Sequence, residues 1–135
     1  MRELEIILID DSVEDRDLTV RSLNRCKLAN KITTISNAND ALEYIVGTQG
    51  DMSLRLILLD LNMPGMSGLE FLKIIRSNKH TRGIPVAILT STTQLPDIKE
   101  SLELGVHYIA KPIEFDDLAK MAASLGFSIL LIKED

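Results

Sequence analysis

Three aspartates, a threonine and a lysine stand where chemistry is easiest to build. Asp10 and Asp11 follow the apolar run LEIILI (4–9), and Asp60 follows LILL (56–59). Thr90 and Ser91 follow IPVAIL (84–89), and Lys111 with Pro112 follows VHYIA (106–110). A carboxylate at the end of a buried element is costly unless something pairs with it. If the runs ahead of Asp10 and Asp60 are neighbours, their ends lie roughly 5 Å apart. Carboxylates that close repel one another unless a cation intervenes. Mg2+ answers that need, because it takes oxygen ligands and pairs with phosphate oxygens. With no His or Cys clustered beside them, the carboxylates select Mg2+, or Mn2+, over zinc.

The elements that must position these groups are visible in the hydrophobic pattern. The four runs, together with KITTIS (31–36), have strand length and are mostly rich in Ile, Val and Leu. LEIILI, LILL and IPVAIL are almost continuously apolar, as expected of parallel strands covered on both faces, whereas KITTIS alternates and belongs nearer an edge. Between the runs lies helix punctuation. Ser12 and Asp15 precede Leu18 and Leu23 at capping-box spacing, Asn37 and Asp40 do the same before Ala41, Leu42 and Ile45, and Ser67 with Glu70 forms an S-x-x-E box before Leu72 and Ile75. Pro96 suits a first helical turn ahead of Ile98 and Leu102, with Gly105 as its exit, and Phe115, Leu118, Ala122 and Leu125 make a last amphipathic stripe. Strand and helix thus alternate through the chain, which predicts an α/β fold with a parallel sheet and helices on both faces. In an open sheet of this kind ligands bind beyond the carboxyl ends of the strands, which is where the acids, the hydroxyl and the ammonium fall.

Composition narrows the classes. The chain has 135 residues, 45% of them hydrophobic but only 4% aromatic, so one domain with an aliphatic core is expected. Fifteen basic against 20 acidic residues give a net charge of −5, which argues against a nucleic-acid surface. The single cysteine, Cys26, excludes an internal disulfide and the common structural zinc sites. With no signal segment visible and no apolar run near the roughly 20 residues that span a bilayer, a soluble cytoplasmic protein without membrane insertion is expected.

The pattern DD (10–11), D-x-N-M-P-G (60–65), T-S (90–91) and K-P (111–112) resembles the receiver domain of two-component response regulators, over essentially residues 4 to 125. The resemblance implies a flavodoxin-like (βα)5 three-layer sandwich with strand order 2-1-3-4-5. It implies that Asp60 accepts a phosphoryl group from a histidine kinase or histidine phosphotransferase. Mg2+ would be held by Asp11, Asp60 and the backbone carbonyl of Asn62, with Asp10 acting through water. Thr90 would hydrogen-bond the phosphoryl group, Lys111 would pair with it, and Thr90 and Tyr108 would form a switch that biases the surface of the fourth helix, fifth strand and fifth helix. Tyr108 is equally readable as an ordinary half-buried strand tyrosine. Asn62 and Thr92 occupy positions that vary in this family and influence phosphoryl lifetime. The chemistry agrees: a carboxylate is a competent phosphoryl acceptor, and cations must offset the charge that accumulates on it.

A receiver of residues 1–125 with an apolar extension over 126–135 is expected, because FSILLI (127–132) is too hydrophobic for a free tail. That run, as in stand-alone receivers linked to phytochrome-type kinases, either packs internally or joins the fourth helix, fifth strand and fifth helix in a homodimer. The leading function is a signalling module, not an enzyme beyond its own phosphorylation and dephosphorylation, with a downstream protein target that the sequence does not name. The alternatives are a Mg2+-dependent phosphohydrolase using an aspartyl phosphate, a receiver acting purely as an interaction adaptor, and a flavodoxin. The first wants a D-x-D pair where this chain has D-L-N at 60–62, and the last wants a phosphate loop where this chain has DDSVED at 10–15.

Overall fold

The computed structural model describes residues 4–25, 31–48, 54–60, 63, 65–90, 106–111 and 113–124. Strands β1 (Leu4–Ile9), β2 (Lys31–Ile35), β3 (Leu54–Asp60), β4 (Val86–Thr90) and β5 (His107–Ala110) alternate with helices α1 (Val13–Arg25), α2 (Ala38–Gly47), α3 (Gly68–Ser77) and α4 (Phe115–Ser124). The helix expected after Pro96 lies outside the described residues, as do Cys26, Ser91, Thr92 and the run 127–132. The described final helix, α4, is therefore the fifth helix of the sequence pattern.

All strand pairs are parallel and the order is β2-β1-β3-β4-β5, the order implied by the resemblance. Alternation along the strands divides the core into two layers. Ile7, Ile9, Ile57, Leu59 and Ile88 pack against Ala41 and Ile45 of α2 and Phe71, Leu72 and Ile75 of α3. Ile6, Leu8, Leu56, Leu58 and Leu89 pack against Leu23 of α1 and Leu118 and Met121 of α4. Each such fully buried aliphatic side chain contributes about 1.5–3 kcal/mol relative to exposure, and together they fix the strand ends that carry the polar groups. The alternating run, now β2, is at the sheet edge.

The expected helix starts form as the sequence predicts. The amide of Asp15 donates to Ser12 Oγ at 3.2 Å, that of Asp40 to Asn37 Oδ1 at 2.8 Å, and that of Glu70 to Ser67 Oγ at 3.1 Å. Each bond satisfies one of the amides that a helix start leaves without a partner. After α3, the Arg76 guanidinium donates to the carbonyls of Arg82 and Ile84 at 3.0 and 2.8 Å and ties the loop to β4. Burial holds its pKa below the ordinary arginine value.

Strand boundaries correct the sequence reading in several places: β2 ends at Ile35 rather than Ser36, and β5 begins at His107 rather than Val106. β3 begins at Leu54 rather than Leu56 and takes in Arg55, which is 8% exposed. The charge is tolerated because Glu5 lies beside it in register on β1, with Arg55 Nε 3.6 Å from Glu5 Oε1. β4 begins at Val86, two residues late, because Pro85 has no amide to give the ladder. The carbonyl of Pro85 still accepts from the amide of Ile57 at 3.0 Å. Asp60 and Thr90 are the last residues of β3 and β4, not residues beyond them, and their backbones pair with Leu89 and Ala110.

Candidate functional site

β1 and β3 are neighbours with Ile9 opposite Leu59, so the residues that follow each of them meet at one rim. Asp10, Asp11 and Asp60 each place one carboxylate oxygen within 4.8 Å of the others, with Asp10 and Asp60 buried and Asp11 exposed. The first two acids are set by the start of α1. Ser12 donates its amide to Asp10 Oδ1 at 3.0 Å, and Arg16 Nη1 donates to the Asp10 carbonyl at 2.7 Å. Asp10 is fully buried, and its Oδ2 accepts no hydrogen bond.

On the far side of the rim, Lys111 follows β5. Its Nζ lies 3.5 Å from Asp10 Oδ2 and 3.5 Å from Asp15 Oδ2. The ammonium therefore reaches across the sheet end to the acids brought by β1 and α1. The sequence reading took Asp15 only as part of a helix cap, and its pairing with Lys111 was missed. The signal was present in the repeated acids of DDSVED, but only strand order places that loop opposite Lys111.

Thr90 ends β4 on the same rim, between Asp60 and Lys111 in strand order. Its side chain, Asn62 and Pro112 lie outside the described part of the structure. Gly65 has a φ of 74° in the turn after Asp60, a left-handed conformation that glycine adopts without strain, and Met63 is buried in the core beside it. Tyr108 on β5 is half-buried and packs against the layer that contains Phe71 and Ile88. His80 is exposed in the loop after α3, away from this rim.

The donor set fits a hard divalent cation on two grounds. Among the described residues its ligating groups are carboxylates alone, and Asp10 Oδ2 is buried and accepts no hydrogen bond, facing only the Lys111 ammonium at 3.5 Å there.

Residues 6–123 match the family model of the response regulator receiver domain. The chain belongs to the response regulator receiver domain family. Receivers of two-component systems are signalling domains that interact with histidine kinases or phosphotransferases, and this one has the flavodoxin-like architecture of its solved relatives. The chain is 35% identical over 132 residues to the two-component response regulator ARR5 of Arabidopsis thaliana, covering 90% of this chain and 70% of that protein. It is 34% identical over 128 residues to ARR7 of the same plant, covering 88% of this chain but only 61% of ARR7. Among solved structures, the receiver resembles the bacteriophytochrome response regulator AtBRR at 34% identity and a TM-score of 0.82, covering 98% of this chain and all of that one (100%). The Mn2+-bound form of response regulator Rcp1 matches at 34% identity and a TM-score of 0.67, covering 87% of each chain. No helix among the described residues is long and apolar enough to cross a membrane.

Proposed function

We propose that this receiver accepts a phosphoryl group on Asp60 from a histidine kinase or histidine phosphotransferase, in the cytoplasm, and passes the signal on by protein contact. The observation that carries this reading is the convergence of Asp10, Asp11 and Asp60 within 4.8 Å, with Lys111 at the same rim. Asp60 Oδ attacks phosphorus, the bond from phosphorus to the donor breaks, and the donor leaves with its electron pair. The anionic nucleophile and the phosphoryl group repel each other, so the site needs positive charge that is already in place. Asp11, Asp60 and the Asn62 carbonyl would hold Mg2+, with Asp10 completing the site through water, and the bound ion supplies charge neutralisation for the phosphoryl oxygens. The Mn2+-bound relative supports such a site, with Mn2+ as a substitute ion. Lys111 supplies the remaining cation, and Thr90 is the hydrogen-bond donor to the phosphoryl group.

The acyl phosphate adds charge and acceptor oxygens to a packed rim. Thr90 and Tyr108 are the pair through which that change reaches the face of the fourth helix, β5 and α4. The receiver unit spans residues 1–125, with 126–135 as its apolar extension. A homodimer through the same face and residues 127–132 is the form in which that extension would be covered. Sedimentation of the full chain checks this, and a monomer mass would remove it.

The competing enzyme classes have less support. The loop after β1 reads DDSVED, whose acids would repel a flavin phosphate, and it spends the Ser12 amide on Asp10 and the Asp15 amide on Ser12. A phosphohydrolase would want a second acid where the chain has Asn62. The test is acetyl phosphate with Mg2+ followed by intact mass. The wild type is expected to gain one phosphoryl group, and Asp60→Asn and the chelator-treated wild type none. An unchanged wild-type mass would overturn the assignment.

A further inference from the structure

The structure gives Lys111 two partners, and the second has no part in the chemistry so far described. Lys111 Nζ is equally near Asp10 Oδ2 and Asp15 Oδ2, at 3.5 Å each. The backbone of Asp15 is held in place independently of that contact. Its amide donates to Ser12 Oγ, Ser12 in turn donates its amide to Asp10, and Arg16 in the next position grips the Asp10 carbonyl. The end of β1 and the first turn of α1 thus present one carboxylate each to the same ammonium. The lysine side chain is 26% exposed and that of Asp15 48%, so the contact sits at the mouth of the site rather than inside it. An open groove of about 260 Å3, lined by Asp15, Leu18, Thr19, Ser22 and Lys111, lies beside them. The ammonium therefore has room to change partners without displacing core side chains.

We propose that Asp15 is a positioning residue that acts through Lys111. In the unmodified chain it shares the ammonium with Asp10, and it competes for that ammonium with a phosphoryl group on Asp60. The proposal rests on the reading of Asp60 as phosphoacceptor. The acyl phosphate is a stronger anion than one carboxylate and draws Lys111 toward Asp60, so the contact with Asp15 is given up on phosphorylation. Asp15 then favours the unmodified state by the strength of one partly exposed ion pair, which lies within about 1 kcal/mol. At RT of about 0.6 kcal/mol, that corresponds to roughly two- to five-fold in the phosphorylated fraction at a fixed donor concentration.

Two readouts on the full-length chain test this. The first is the rate of adduct formation with acetyl phosphate and Mg2+, by intact mass. Asp15→Asn is expected to form the adduct roughly two- to five-fold faster than wild type, and Asp15→Glu to return toward the wild-type rate. Glu14→Gln removes the same charge from an exposed neighbour on the same turn and is expected to behave as wild type. The second readout needs no phosphorylation: trace acetylation of lysines with acetic anhydride, mapped by peptide mass. Labelling of Lys111 relative to Lys120 is expected to rise in Asp15→Asn and not in Glu14→Gln. An Asp15→Asn rate equal to or below wild type would overturn the proposal, as would an equal gain in Glu14→Gln, which would mean simple repulsion of the anionic donor. Unchanged Lys111 labelling in Asp15→Asn would overturn it as well. A wild type that takes no phosphoryl group while Lys111 labelling still rises in Asp15→Asn would confirm the hold on the lysine, and would overturn the Asp60 reading and the competition with it.

Discussion

At the amino ends of the strands, Glu5 is buried at 4% exposure, and protein groups surround it. Its Oε2 accepts from Thr33 Oγ1 at 2.6 Å and from the Tyr44 hydroxyl at 2.5 Å, with Lys31 Nζ at 3.7 Å, and its Oε1 faces Arg55 Nε at 3.6 Å. Arg55 in turn donates to the carbonyls of Thr48 at 2.8 Å and Ile45 at 3.4 Å, and to the Thr48 hydroxyl. At the carboxyl ends of the same strands, Asp10 and Asp60 are also buried, yet a third acid, Asp11, joins them, and among the described residues the ammonium beside these three carboxylates is that of Lys111, 3.5 Å from Asp10 Oδ2 and shared with Asp15. The first cluster is closed by the chain itself. The second holds an excess of negative charge that favours a cation from outside. Burial alone therefore does not distinguish a structural charge from a functional one. The state of its partners does.

This contrast predicts opposite signs for mutations at the two ends. The largest effect is expected from Arg55→Leu, which leaves Glu5 buried with, among the described residues, the largely exposed Lys31 as its remaining cation. Breaking a buried pair from one side costs about 3 kcal/mol, read as a fall in urea unfolding free energy, and a loss below about 1 kcal/mol would break the comparison. A smaller effect of the opposite sign is expected from Asp60→Asn measured with chelator present. Removing one of the crowded carboxylates raises stability by about 1 kcal/mol, and a destabilised variant would mean that the rim is already compensated within the chain. The smallest is Lys31→Ala: the lysine is 70% exposed, and its contribution to the Glu5 cluster stays within about 0.5 kcal/mol in the same urea titration.

The same contrast explains what the sequence revealed. The alternation of strands and helices and the polar strand ends were legible because the apolar runs are short, are bounded by caps, and end on residues that periodicity does not require, whereas the strand order was implied by the family resemblance. Asp60 and Lys111 could be read as members of one site because each follows an apolar run, Asp60 as the last residue of β3 and Lys111 as the residue after β5. The Glu5–Arg55 pair was not legible, because Arg55 looks like the residue that stops a strand. It becomes an interior residue only when β1 places Glu5 beside it in register. Lys31, Glu5 and Arg55 do sit at the starts of three adjacent strands with alternating sign, but that is a pattern only once the order is known. Asp15 was hidden for the same reason. Its spacing from Ser12 satisfies a capping rule, and its ion pair with Lys111 depends on α1 and the residue after β5, which lie far apart in the sequence.

The central claim is that the carboxyl-end acids act as one cation site and the amino-end cluster does not. It is tested most directly by the shift in unfolding midpoint that Mg2+ produces in three chains: wild type, Asp60→Asn and Lys31→Ala. A ion that binds only the folded state raises stability in proportion to the logarithm of its excess over Kd. The account predicts a clear Mg2+-dependent rise in wild type and in Lys31→Ala, and its loss in Asp60→Asn. An equal rise in Asp60→Asn, or no rise in wild type at millimolar Mg2+, would contradict it.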